Sequence, residues 1–101
     1  MKKIYIITEI LHAGRKGIRY EPVTDIKYDG LIGCKATFDI TEIERFESTR
    51  IYLLGYNPQK YRWWDTSEVL GLIASNGKVE LETANTIYRF EEWHEPKEER
   101  K

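Results

Sequence analysis

The feature that most constrains the fold is a C-terminal region in which short strand-like segments are separated by tight-turn signals. After Asn76-Gly77, Val79 and Leu81 alternate with charged residues, so one face of this segment is apolar. Asn-Gly is the pair that best tolerates the two positive φ angles of a type I′ hairpin turn. A second turn is expected at Ala84-Asn85, and the region from residue 64 to 88 therefore predicts a β-meander.

The first segment, residues 3 to 11, is rich in β-branched residues and predicts a strand rather than a secretory signal, because Glu9 and His12 interrupt its apolar run. Its two faces are both apolar, with Ile4, Ile6 and Ile10 on one side and Tyr5, Ile7 and Leu11 on the other. One face is expected to meet the core, and the other to be covered by the rest of the chain or by a partner.

Three further elements are predicted in the middle of the chain. A strand within 18 to 28 carries Pro22, which places it at an edge or a bulge. Asp29-Gly30 predicts a hairpin turn into a half-buried strand, whose inward residues are expected to be Ile32, Cys34, Ala36, Phe38 and Ile40. Residues 41 to 47 resemble a capping box that begins at Thr41 and predict one short helical turn.

Residues 51 to 56 have strand composition again, and Asn57-Pro58 predicts a turn. Before Asn76 the apolar residues occupy both parities around Gly71, which predicts a bulge or burial on both faces. Short strands separated by frequent turns are typical of barrels and sandwiches. We therefore predict a mostly-β fold, a small five- to seven-stranded antiparallel barrel over residues 1–93, followed by a charged, solvated tail over 94–101.

Composition limits the function classes. With 101 residues the chain can build one modest core, and sixteen Lys and Arg against seventeen Asp and Glu leave a net charge of -1, so no global positive field attracts phosphate or anionic lipid. A single cysteine excludes an internal disulfide and favours a reducing, cytoplasmic setting. No apolar run reaches the roughly 20 residues that span a bilayer, so we expect no membrane partner.

Two short motifs carry a resemblance. Residues 64–69 read W-x-T-S-x-V and residues 83–88 read T-x-N-T-x-Y. This pairing resembles small uncharacterised β-barrel proteins of bacteria, phages and mobile elements, over about a quarter of the chain. The resemblance implies a barrel and an origin in a phage or mobile element, and it carries no catalytic residues. The residues themselves favour a scaffold role, in which Trp64 packs with Tyr88 and Asn85 adopts positive φ in a turn.

Signatures of catalysis are sparse. His12 and His94 have no second ligand at metal spacing, so no metal site is expected. Cys34 falls on a core-facing parity and favours a buried inert thiol over a nucleophile. The segment Gly14 to Gly17 lacks the spacing of a phosphate loop. We therefore predict a protein that is not an enzyme and uses no cofactor.

The positive signal is aromatic and basic. Adjacent residues of a strand point to opposite faces, so one of Trp63 and Trp64 must face outward, and we expect it to be Trp63. The alternative is that Trp63 packs against Trp93. Trp, Tyr and Arg dominate binding hot spots. The candidate interaction residues are Tyr56, Tyr61, Arg62 and Trp63, together with Arg15 and Lys16 of the basic loop.

Two functions remain open. The first is a protein-interaction module, such as a phage or mobile-element accessory protein or host-defence inhibitor, and a first strand apolar at Tyr5, Ile7 and Leu11 would also suit a homodimer. The second is nucleic-acid or nucleotide binding, since small barrels stack bases on aromatic rings. The second function requires Tyr61 and Trp63 to converge with basic residues, namely Lys2, Lys3, Arg15, Lys16, Arg19, Lys60 and Arg62.

Overall fold

A computed structural model describes residues 3–25, 28, 30–55 and 62–94. Within these residues the regular elements are seven strands and one 3-10 turn. The strands are β1 (Lys3–His12), β2 (Lys35–Phe38), β3 (Arg50–Leu54), β4 (Trp63–Asp65), β5 (Val69–Ser75), β6 (Lys78–Thr83) and β7 (Thr86–Glu92), and the 3-10 turn is Ile40–Glu42.

All seven strands join one antiparallel sheet in the order β4-β3-β2-β1-β7-β6-β5. The mostly-β class, the antiparallel pairing and the single short helical turn are confirmed. The sheet is open, because β4 and β5 form its two edges and do not pair with each other. Closure into a barrel therefore stays a prediction.

The central strand β1 contains a β-bulge. Its register against β7 shifts between Ile7 and Glu9, so one extra residue is inserted and the later side chains change face. Tyr5, Ile7 and Ile10 consequently share the core, whereas Leu11 lies on the opposite, outer face. The grouping of Leu11 with Tyr5 and Ile7 was wrong, because strict alternation does not survive a bulge. Tyr5, Ile7 and Leu11 are all buried within the chain, so they offer no exposed face to a homodimer.

The core lies on one face of the sheet and is centred on aromatic rings. The ring of Phe90 lies 4.8 Å from that of Phe38 and 6.1 Å from that of Tyr5, and Tyr5 stacks on Phe38 at 4.7 Å. Aliphatic side chains from the other strands surround these rings, including Ile51, Leu53, Val69, Val79 and Leu81. Large rings bury much area per residue, which allows a chain of this size to fold without covalent crosslinks.

The predicted strand within 18 to 28 is wrong for the residues described there. Only an isolated bridge joins Leu11 to Pro22, because proline has no N–H to continue a ladder and Tyr20 already has φ of 69°. This loop lies over part of the outer face. Leu11 and Ile87 are buried there opposite each other, and Arg19 reaches Glu82, which pairs with Ile87.

The strand predicted from Ile32 to Ile40 is shorter than expected. Residues 31–33 form a turn in which Gly33 has φ of 88°, so Leu31 is buried and Ile32 is exposed, contrary to prediction. Gly30 also has positive φ, whereas Asp29 lies outside the described residues.

The short helical turn begins earlier in the sequence than predicted. Asp39 is its N-cap and accepts the backbone N–H of Thr41 at 2.9 Å, so Asp39 replaces Thr41 in the capping role. The strand expected over 51–56 runs as Arg50–Leu54. The predicted turn at Asn57-Pro58 and the tail beyond His94 lie outside the described residues, and His94 itself is exposed.

The hairpin between β5 and β6 forms as predicted. Asn76 and Gly77 have φ of 51° and 76°, the pair of positive values that a type I′ turn requires. Val79 and Leu81 are buried, and the β5 register shifts between Val69 and Gly71, which confirms the bulge.

The two motif segments meet at the second turn. The indole Nε1 of Trp64 donates to the hydroxyl of Tyr88 at 2.8 Å, and the backbone N–H of Asn85 donates to Oγ of Ser67 at 3.1 Å. Asn85 does not adopt positive φ, contrary to prediction. The reason is that Thr83 Oγ1 closes the turn by accepting the Thr86 N–H at 3.1 Å and donating to its carbonyl at 2.8 Å.

Gly77→Ala is expected to lower the free energy of unfolding by about 1–2 kcal/mol, because an L-residue is strained at this φ. The new Cβ would also lie 3.1 Å from a carboxylate oxygen of Glu92. Urea denaturation followed by circular dichroism measures the change. Gly71→Ala is the matched control, since its φ is not positive and nothing lies within 4 Å of an added Cβ. Equal losses in both variants would contradict the strain argument.

Candidate interaction surface

A row of large side chains crosses the outer face of β4, β3, β2 and β1. Trp63 lies opposite Tyr52, Tyr52 opposite Thr37, and Thr37 opposite Ile4. Directly opposed residues on one face of a sheet have Cβ atoms about 4.5–5.5 Å apart. We call these four residues, together with Trp93, the aromatic stripe.

The direction of the stripe follows from strand alternation. In β3, Ile51 and Leu53 are buried, so Tyr52 must point to the outer face. In β2, Ala36 and Phe38 are buried, which turns Thr37 outward. Trp63 is 47% exposed and Tyr52 is 40% exposed. The outer face therefore presents two large rings to solvent over this half of the sheet.

An ion pair between Arg50 and Asp65 lies at one end of the stripe, beside Trp63. Arg50 donates to Asp65 through Nε at 2.8 Å and Nη2 at 3.1 Å, and its guanidinium carbon lies 4.8 Å from the ring centroid of Trp63. These hydrogen bonds lower the pKa of Asp65 and raise the pKa of Arg50. Both groups therefore stay charged at neutral pH, and the planar guanidinium orients the indole.

A second cation lies at the other end. The Nζ atom of Lys35 lies 3.7 Å from the ring centroid of Trp93. The backbone N–H of Trp93 donates to the backbone carbonyl of Ile4 at 2.8 Å. Lys35 belongs to the outward set of β2, so this contact places Trp93 on the outer face. The alternative prediction was that Trp63 packs against Trp93. Instead, Trp63 contacts Arg50 at one end of the stripe, and Trp93 contacts Lys35 at the other end.

Only part of the predicted site comes together. Trp63 faces outward as predicted and Arg62, next to it, is exposed. Tyr56 and Tyr61 lie outside the described residues. Arg15 and Lys16 are exposed in the loop that follows His12, at the end of β1 remote from Ile4. The expected basic loop therefore does not join the surface around Trp63.

Lys16 contributes instead to a pocket of about 350 Å³ beside the β6–β7 turn. Its lining also includes His12, Asp25, Asn85 and Thr86. Both signs of charge and neutral polar groups are present, so this lining selects no single class of ligand.

Several basic residues outside the stripe are paired with carboxylates. Lys3 contacts Glu92 at 2.8 Å and Arg19 contacts Glu82 at 2.7 Å. Arg89 contacts both Glu80 at 2.9 Å and Glu9 at 3.2 Å. A carboxylate beside these three cations weakens the positive field that binding to a phosphate backbone would require. The outer face therefore provides no continuous basic track among the described residues.

Cys34 is a poor nucleophile in this structure. Its thiol donates to the carbonyl of Gly30 at 2.9 Å, and partial burial raises its pKa. In residues 3–25, 28, 30–55 and 62–94, His, Cys, Asp and Glu form no group of three that could hold a metal ion. No helix in the same ranges has the length and apolar character needed to cross a membrane.

Several residues of the stripe were missed from the sequence. The alternation of β3 is visible in the sequence and would have predicted Tyr52 as outward-facing. The positions of Ile4, Lys35 and Trp93 beside it depend on strand order and register, which no local pattern encodes.

No protein-family model matches this chain, and no curated protein or solved structure matches it.

Proposed function

We propose that this chain is a non-enzymatic, cytoplasmic protein-interaction module that binds its partner with the aromatic stripe. The observation that carries the proposal is the continuous outward row from Trp63 and Tyr52 to Ile4. Trp, Tyr and Arg supply most of the binding energy at protein interfaces. The motif resemblance supports a more specific role, as an accessory protein or host-defence inhibitor of a phage or mobile element.

The stripe is also suited to binding because its side chains are held in place before a partner binds. Tyr52 and Trp63 project from paired strands, and Arg50 is fixed by Asp65 before any partner arrives. Side chains that are already ordered lose less conformational entropy on association. The flanking charges, Lys35, Arg50 and Asp65, form the polar rim that surrounds the centre of an interface.

Site-specific photo-crosslinking tests the location of the interface. A photoreactive phenylalanine analogue placed at Tyr52 is expected to trap one protein from extracts of the source organism. The same analogue at Tyr20 is the matched control, since Tyr20 is also an exposed tyrosine but lies against Arg19 and Arg89. Equal trapping from both positions, or from neither, would contradict the proposal.

Trp63→Ala is expected to weaken binding of the trapped partner at least about 30-fold, which corresponds to about 2 kcal/mol. Isothermal titration calorimetry with the purified partner measures this loss. Ile32→Ala is the control, because Ile32 is exposed and lies in the turn before β2, away from the stripe. A Trp63→Ala variant that binds like the unmodified chain would show that the stripe is not the interface.

Single-stranded nucleic acid is the second candidate, and one observation favours it. Cations lie on both indoles of the stripe, at Trp63 and Trp93, and ring faces beside Arg and Lys are used to stack bases. Fluorescence anisotropy of a labelled oligonucleotide should then rise at low salt and fall as salt is added. No rise at low salt would exclude this candidate.

A further inference from the structure

The edge strand β5 lies at the opposite edge of the sheet from β4 and is unusual in its composition. Its sequence VLGLIAS contains no charged residue and no proline, and its pairing in the sheet is with β6 alone. Edge strands are normally protected by lysine, proline or a covering element, because their free N–H and C=O groups can pair with another strand. Among the described residues, β5 is protected by the bulge at Leu70 and by the hydrogen bonds that residues 46 and 47 make to its first residue.

The free part of this edge has defined limits. At its start, the N–H of Val69 donates to Glu47 at 2.9 Å, and the carbonyl of Val69 accepts from Phe46 at 2.7 Å. At its end, Asn76 turns the chain into β6. The free stretch from 70 to 75 therefore lies between Val69, whose backbone groups are already hydrogen-bonded, and the turn at Asn76. Ile73 within this stretch is 65% exposed.

If two copies of this stretch are related by a two-fold axis, the side chains of one copy complement those of the other. In an antiparallel pair centred on Leu72, Ile73 of each copy lies opposite Gly71 of the other. Gly71 shares the outer face with Ile73, and nothing lies within 4 Å of a Cβ at that position. The protruding isoleucine of one copy therefore meets a gap in the second copy.

The second reciprocal pair is Leu70 opposite Ala74. Ala74 has a small side chain and lines a groove of about 210 Å³, so a larger side chain has space beside it. In this register Glu68 of one copy also approaches the turn of the other copy that leads into Lys78. Lys78 is well exposed, and Glu91 lies 3.8 Å from its Nζ atom. Opposite charges therefore approach each other at both ends of the paired strands.

We propose that the β5 edge binds a second copy of this chain, forming an antiparallel two-fold dimer with a sheet continuous across both copies. Five residues from each strand contribute, so the interface is far smaller than that of a permanent dimer. The monomers therefore exchange with the dimer, and the association is weak. The aromatic stripe belongs to the other edge of the sheet, so this proposal does not depend on its function.

Sedimentation velocity over a concentration series up to about 1 mM tests the dimer. The unmodified chain is expected to shift from monomer to dimer, and Ile73→Lys to weaken dimerisation at least about tenfold, because a lysine cannot be buried opposite Gly71. Ile18→Lys is the matched control and should dimerise normally, since Ile18 is 69% exposed in the loop after β1. Monomer at every concentration, or equal dimerisation of Ile73→Lys, would overturn the proposal.

Disulfide trapping tests the register. Two chains are made, each with Cys34→Ser, one carrying Gly71→Cys and the other Ile73→Cys. Mild oxidation of their mixture is expected to give the mixed crosslinked dimer in clear excess over either homodimer. A uniform mixture of crosslinks would overturn the register centred on Leu72. An uncharged strand peptide can also be added to the Ile73→Cys chain. If the chain stays monomeric and captures this peptide, the edge binds another protein and the dimer proposal is overturned.

Discussion

Phe90→Ala is expected to lower the free energy of unfolding by about 3–5 kcal/mol, a large share of the stability of a single small domain. Phe90 is 1% exposed, and its ring contacts those of Tyr5, Phe38 and Tyr88. Removing it leaves a cavity in the middle of the aromatic core, where rigid neighbouring rings on paired strands cannot move to fill the space. Equilibrium urea denaturation followed by tryptophan fluorescence measures the loss.

Phe46→Ala is the matched control for this substitution. Phe46 is 64% exposed, so the same change removes little buried area and should alter stability by less than about 1 kcal/mol. If the two variants lost equal stability, the aromatic cluster would not be the centre of the core. If Phe90→Ala does not fold, the smaller change Phe90→Leu should give a measurable loss in the same direction.

Tyr88→Phe is expected to cost about 1–3 kcal/mol, since it removes the hydroxyl that accepts from Nε1 of Trp64 in a largely enclosed site. Only the hydroxyl is removed, so the loss reports its hydrogen bonds to Trp64, Tyr28 and Thr86 rather than packing. Tyr52→Phe is the control on the exposed face and should change stability by less than about 0.5 kcal/mol. A double-mutant cycle with Trp64→Phe should show strong coupling, whereas additive losses would contradict a direct bond.

The same tyrosine makes stability depend on alkaline pH. Burial raises the pKa of Tyr88 well above its usual value of 10.0. Above pH 10 the unfolded chain therefore releases a proton that the folded chain retains, so stability is complete below that pH and falls as pH rises. The slope should be about 1.4 kcal/mol per pH unit from this group. Denaturation at pH 9 to 11 should show the fall in the unmodified chain and a weaker fall in Tyr88→Phe.

The sequence predicted local structure well at the turn between β5 and β6. Asn76-Gly77 must supply two positive φ angles, and few other residue pairs can do so. The motif residues Trp64 and Tyr88 were expected to pack together, and a direct hydrogen bond joins them. The turn at Ala84-Asn85 was predicted at the correct position but for the wrong reason, because Thr83 rather than a positive φ closes it.

Prediction was weaker where one inserted residue or a distant strand decides the outcome. The bulge between Ile7 and Glu9 moves Leu11 to the outer face, and alternation alone cannot reveal it. Pro22 was identified as a disruptive residue, yet a strand was still expected around it. In the candidate site, Trp63 was identified from its neighbour Trp64, whereas Ile4 joins the stripe through pairings with residues more than thirty positions away.

The pairing of β1 with β7 has a consequence for how the protein is made. These strands are far apart in the sequence, and Ile7 reaches its partner Phe90 only after the chain has been translated past residue 90. Until then β1 can pair with β2 on one side but lacks β7 on the other, and the growing chain exposes an unfinished apolar edge. Translation stalled on the ribosome before Thr86 should therefore leave a protease-sensitive chain, and release of β7 should bring protection of the whole sheet at once.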